Sequence, residues 1–99
     1  MNKPFASGRW VVMVGQESEF IRRWMEFLGW TRSSYKDLQS AQLILDNHNP
    51  RRFVSFAGWS SADALNQWRS SPGFAERFGA CRALCDEFEG SDYTLAATV

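Results

Sequence analysis

The stretch that decides the fold is Arg52 to Phe74, RFVSFAGWSSADALNQWRSSPGF. Phe53, Val54, Phe56 and Ala57 put apolar side chains on both faces of an extended segment, as a strand buried on two sides requires. Trp59 follows, then Ser60 and Ser61, either of which is placed to cap a helix. The S-x-x-D spacing of Ser60 and Asp63 resembles a capping box. Leu65 and Trp68 are the inward anchors of that helix. Ser71-Pro72 restarts the helical chain, a cap followed by proline at the first helical position, where a missing N–H is no loss. A two-sided strand followed by a broken helix predicts a small α+β domain.

Outward from this stretch, Arg9 to Val14, RWVVMV, is the other run with two apolar faces, bounded by Gly8 and Gly15, and reads as a central strand. Met1 to Gly8 is short, polar and holds Pro4; it reads as a loosely ordered lead-in, leaving 9–99 as one domain. Phe20, Ile21, Trp24, Phe27 and Leu28 form a helical stripe that begins near Glu17 and Glu19 and that Gly29 is placed to stop. Thr31 to Asp37 suits a loop. Leu38 to Asp46 suits a half-buried strand with Ala41, Leu43 and Leu45 on one side, and Asn47-His48-Asn49-Pro50 is turn chemistry. Phe74, Phe78, Cys81, Cys85 and Phe88 recur at three or four, predicting a helix that Gly90 ends, and the alternating Tyr93 to Val99 reads as the last strand.

The order is βαββαβ with the second helical region in two pieces, a ferredoxin-like arrangement. The first and third strands are expected at the centre of a four-stranded antiparallel sheet and the second and fourth at its edges. Right-handed crossovers place the helices on one face. The other face is left with about half a dozen large apolar side chains, whose exposure would forfeit on the order of 10 kcal/mol. A homodimer sealed through the open sheet face is therefore expected.

Composition narrows the partners. Eleven Lys and Arg balance eleven Asp and Glu, so no long-range field draws in nucleic acid or an anionic membrane, and neither is expected as a partner. Without an apolar run of ~18 residues or a signal-peptide core, the expected location is cytoplasmic. Cys81 and Cys85 lie four apart and the single histidine, His48, sits far off in a turn, so no metal set forms. The two thiols read as small buried hydrophobes on one face of a helix. Five Trp and eight Phe in 99 residues are a heavy load of rings, some of them destined for an interface or a pocket.

The βαββαβ order, FVSFAGW at Phe53 to Trp59, the W-x-S-x-x-A pattern that starts at Trp59, and Q-W-R-S-S-P at Gln67 to Pro72 resemble the antibiotic biosynthesis monooxygenase family. The resemblance covers Trp10 to Val99 and implies a dimeric α/β barrel of ferredoxin-like protomers. For function it implies cofactor-independent oxidation of an aromatic or other apolar small molecule by O₂ in a pocket between helices and sheet, with no flavin, metal or other cofactor. A phenol bound there, once deprotonated, can itself give an electron to O₂. The protein then supplies an apolar cavity, ring-stacking walls and a polar group. Trp24, Trp59, Trp68, Phe74 and Phe78 are the walls on offer. Ser55, on the strand face shared by Phe53 and Trp59, and Tyr35, before the second strand, are the catalytic candidates.

Other polar residues read more plainly. His48 is a solvated turn residue, and Asn66, one position round from Trp68, faces water. Arg22-Arg23 and Arg51-Arg52 read as solvated charges, with a carboxylate or phosphate clamp as their alternative. Haem-degrading relatives place an asparagine in strand one, a tryptophan on the helix after strand three and an axial histidine ten residues on. Trp68 matches, but Phe78 stands at the histidine position and strand one has no asparagine, so haem is not expected. The alternative to an enzyme is a non-catalytic barrel that binds a small hydrophobic ligand or acts as an accessory protein. An open cavity lined by Trp59 and Trp68, with Ser55 or Tyr35 directed into it, favours the enzyme; rings interdigitated without a void favour the alternative.

Overall fold

Apolar alternation, capping serines and a closed turn resolve into seven elements in the computed structural model, which describes residues 3–99. They are β1 (Pro4–Val12), α1 (Glu17–Ser34), β2 (Leu38–Leu45), β3 (Arg52–Trp59), α2 (Ala62–Ser70), α3 (Pro72–Arg82) and β4 (Cys85–Thr94). The sheet order is β2-β3-β1-β4, every pair antiparallel, with the two doubly apolar strands at its centre as their patterning requires. All three helices cover one face. The shortest dimension, 19 Å, is that of one sheet and one helical layer. The architecture is the ferredoxin-like α+β fold.

Local chemistry accounts for most boundaries. Ser61 Oγ accepts from the Ala64 amide at 3.0 Å and caps α2; Ser71 Oγ accepts from the Phe74 amide at 3.1 Å and caps α3, with Pro72 in its first turn. Ser60 does not cap. Its hydroxyl donates instead to Asp37 Oδ1 at 2.6 Å, so the Ser60–Asp63 capping box is not made. Asp46 Oδ1 closes the β2–β3 turn by accepting from the amides of His48 at 2.7 Å and Asn49 at 3.1 Å.

Three expectations need correction. The supposed lead-in is part of β1, which starts at Pro4: residues 4–8 pair with β4 and residues 5–8 also with β3, and pairing on both edges orders this segment whatever its side chains. Met1 and Asn2, also in that expectation, lie outside the described residues. Second, α1 does not stop at Gly29 but continues to Ser34. An internal glycine costs a helix about 1 kcal/mol. That cost is outweighed by Thr31, fully buried beyond it, and by Trp30, which packs on Tyr35 and under Arg77. Third, α3 ends at Arg82, so Cys85, Phe88 and Gly90 belong to β4, and residues 95–99 lie beyond the sheet. The lengthened β1 draws in a partner along its whole course, from Pro4 opposite Thr94 to Val12 opposite Cys85, and this pairing overrides the helical spacing.

Alternation and register also define the open face. Phe5, Val11, Ile44, Val54, Phe56 and Tyr93 point away from the helices, interspersed with Arg9, Gln42, Arg52, Glu87 and Glu89. Arg9 and Glu89 form an ion pair there between the neighbouring strands β1 and β4. The face is thus apolar in patches and charged in others.

Candidate active site

The inward faces of three neighbouring strands carry small residues in two adjacent rungs. Ser55, Gly8 and Gly90 form one across β3, β1 and β4, and Ala57, Ala6 and Asp92 form the next. The following rung, Phe53, Trp10 and Phe88, is wholly aromatic. Small side chains under large helix residues leave a cavity of about 410 Å³ above this floor. Trp10, Phe78 and Phe88 form one wall, their rings 4.4 to 5.7 Å apart. Trp24, Phe27 and Leu28 of α1, Trp68 of α2 and Phe74 of α3 form the roof. The volume falls within the roughly 300–1,000 Å³ typical of small-molecule sites.

The roof is tied down by one buried polar chain. Trp68 Nε1 donates to Thr31 Oγ1 at 2.9 Å, and the Thr31 hydroxyl donates to the Phe27 carbonyl at 2.9 Å. Phe27 and Trp68 stack with centroids 5.6 Å apart. At the floor, Ser55 Oγ accepts from Trp10 Nε1 at 3.0 Å, and among the described residues its own proton has no acceptor. At the rim, the Arg69 guanidinium donates to both carboxylate oxygens of Asp92, at 2.9 and 2.7 Å. These hydrogen bonds hold the Asp92 carboxyl below the usual range, so it stays ionised at neutral pH.

The structure gathers Trp24, Trp68, Phe74, Phe78 and Ser55 around this cavity. Trp59 and Tyr35 are not among its lining. They fill the other end of the helix–sheet space, where Tyr35 lies edge-on to Trp59 at 5.9 Å and Trp59 is fully buried against Trp68 at 5.0 Å. Trp59 Nε1 has no hydrogen-bond partner among the described residues. One end of the aromatic layer is therefore packed and the other open.

Residues not singled out from sequence complete the site: Trp10, Phe27, Phe88, Arg69, Asp92 and the small floor residues. Trp10 was legible in principle, two positions from Gly8 on a central strand. Phe88, Gly90 and Asp92 were hidden by the helical spacing that masked β4.

The remaining candidates have other occupations. Arg22 and Arg23 bind Glu19 and Glu26 along α1, and their hydrogen bonds hold the Glu19 carboxyl down at about 2. Arg51 donates to the Val12 carbonyl at 2.7 Å and pairs with Asp86. His48 and Asn66 are exposed. Cys81 and Cys85 are buried and unbridged, as small hydrophobes should be, but they sit on different elements, α3 and β4. Cys85 Sγ donates to the Cys81 carbonyl at 3.5 Å. Burial pushes the Cys81 thiol up to about 12 and the Cys85 thiol up to about 11, which keeps both protonated and poor nucleophiles. Among the described residues no three His, Cys, Asp or Glu side chains converge, and no helix is long and apolar enough to cross a membrane.

A ferredoxin-like sheet with a ligand-sized aromatic cavity under its helices defines a class of small α+β domains. Within it, the family model for antibiotic biosynthesis monooxygenase matches residues 7–78, and the chain belongs to that family. Over its full length the chain superimposes on SnoaB, a cofactor-independent oxygenase from Streptomyces nogalater, with TM-score 0.89 at 21% identity, covering 98% of that chain. An asparagine-to-alanine variant of SnoaB gives TM-score 0.91, also at 21% identity with 100% and 98% of the two chains covered. A conserved protein from Methanosarcina mazei Go1 gives 0.84 at 19% identity, with 94% of this chain and 92% of that one covered. At these identities the likeness is one of fold. A curated relative, disulfide bond formation protein B of Vibrio alginolyticus, is 38% identical over 72 residues, 69% of this chain and 42% of that protein. The chain thus spans about two-fifths of that relative's length.

Proposed function

We propose that this chain is a cofactor-independent monooxygenase that oxidises an aromatic or other apolar small molecule with O₂ in the helix–sheet cavity. The observation that carries the reading is the cavity itself: about 410 Å³, walled by Trp10, Trp24, Trp68, Phe74 and Phe78 above a floor of small residues. Family membership and the likeness to SnoaB support it. A phenol or enol with an oxidisable ring carbon, once deprotonated, is electron-rich enough to reduce O₂ directly. For an anthrone-type methylene, one oxygen atom enters as the new carbonyl and the other leaves as water with the two displaced hydrogens. The apolar walls exclude water and place O₂ beside the ring. No asparagine lines the cavity among the described residues, and Ser55 supplies a half-buried hydroxyl on its floor.

Thiol–disulfide chemistry, which the name of the Vibrio alginolyticus relative brings to mind, does not suit the two cysteines here, protonated and buried as they are.

The reading includes a homodimer closed through the open sheet face, supported by the six outward apolar side chains of the four strands. Oxygen uptake with dithranol and with simple hydroquinones tests the chemistry. Uptake above the autoxidation rate, with quinone appearing in step, is the expected result. Thermal stabilisation without uptake turns the assignment to a non-catalytic binding barrel, and the absence of both with every compound removes the monooxygenase reading.

A further inference from the structure

We propose that Ser55 is a one-way hydrogen-bond donor that holds the oxyanion of the bound phenol or enol, and that Trp10 and Gly8 are the residues that position it. The proposal rests on the monooxygenase reading and assigns roles within the same cavity.

A serine hydroxyl carries one proton and two acceptor sites. At Ser55 an acceptor site is taken by the Trp10 indole N–H at 3.0 Å, and an indole can only donate, so it never competes for the Ser55 proton. The N–H also polarises the oxygen and strengthens the remaining O–H as a donor. That O–H sits on the cavity floor in the rung it shares with Gly8 and Gly90, which leave its β1 and β4 side free of side chains, while Leu43 of β2 flanks it on the other side. An oxyanion in an apolar cavity without such a donor is strongly disfavoured; with one, the bond is a charge-assisted one in a low-dielectric site. Ser55 therefore acts by favouring the deprotonated substrate, not by taking its proton.

Gly8 makes the pair possible. A Cβ there would lie 2.9 Å from Trp10 Nε1 and 3.1 Å from Ser55 Oγ, against both ends of the hydrogen bond, and 2.8 Å from the Phe88 ring. The indole crosses directly over this position to reach the serine on the next strand. Any side chain at residue 8 forces the two apart or lifts the Trp10 ring into the cavity.

The test reads ionisation of a bound phenol, which a merely structural role would not move. Alizarin, whose phenol and phenolate differ in colour, is titrated while saturating the protein, its seat in the cavity fixed by loss of binding when Ala6→Leu fills the floor. The ionisation midpoint in Ser55→Ala should rise by about one pH unit above that of the wild type, a tenfold weaker hold on the phenolate. Trp10→Phe and Gly8→Ala should shift it in the same direction by less. Should Gly8→Ala fail to fold, the other two variants carry the comparison. Equal midpoints in the wild type and Ser55→Ala, with dye seated in both, overturn the donor role and leave the cavity reading intact. Dye that fails to enter the wild-type cavity overturns the donor role and the cavity reading together.

Discussion

A single hydroxyl ties together two of the three helices over the cavity, α1 and α2. Thr31 accepts the Trp68 indole N–H and donates to the Phe27 carbonyl while fully buried, so both of its polar functions are met. Replacing it by valine keeps the shape and strands the indole N–H, a loss of about 1–3 kcal/mol. Thr31→Val should lower the urea midpoint accordingly, and Thr31→Ser, which keeps the oxygen, should recover most of the difference. At this scale the sequence is legible in part. Trp24, Trp68, Phe74, Phe78 and Ser55 were picked out by spacing, resemblance and strand parity, and all line the cavity. Gly29 mimics a helix stop signal and so hides the helical place of Thr31. Trp59 and Tyr35 are aromatic like much of the lining, and only tertiary packing tells a ring that fills space from one that borders it.

Among the elements, α1 is instructive because it passes through a glycine it could do without. A Cβ at Gly29 meets nothing within 4 Å, and the residue lies well inside the helix. Gly29→Ala should therefore stabilise the chain by about 1 kcal/mol. For a domain this small that is a rise of roughly 4–8 °C in Tm by calorimetry. Gly73 is the contrast: a Cβ there would fall 2.3 Å from the Trp30 ring, so its glycine is a packing requirement. Element type and order were legible because two-sided apolarity marks the central strands β1 and β3, and because Ser61, Ser71 and the Asp46 turn act locally. The start of β1 and the start of β4 were not. Both depend on each other's pairing across the chain's two ends, which leaves no local trace in a polar segment or in residues that happen to recur every three or four.

For the molecule as a whole, the decisive question is what meets the outer face of the sheet. Ile44 and Tyr93 stand more than half exposed there, at 52% and 56%, while charged neighbours share the surface. The homodimer proposed above predicts a sedimentation mass of two chains. Val54→Lys, which sets a cation on a central strand of that face beside Ile44 and Arg9, should yield monomer while leaving the aromatic cavity on the opposite side intact. Sedimentation of the wild type as a single chain would remove the dimer. The other side of the molecule carries its own constraint. The Arg69–Asp92 bridge spans α2 and β4 and is, among the described residues, the charged part of the cavity's lining, so on the function proposed above a greasy guest entering at this rim meets a clasped pair of opposite charges. Ionic strength weakens a solvent-exposed clasp of this kind, so on that proposed reading dissolved salt should ease admission and leave the chemistry beyond the doorway unchanged.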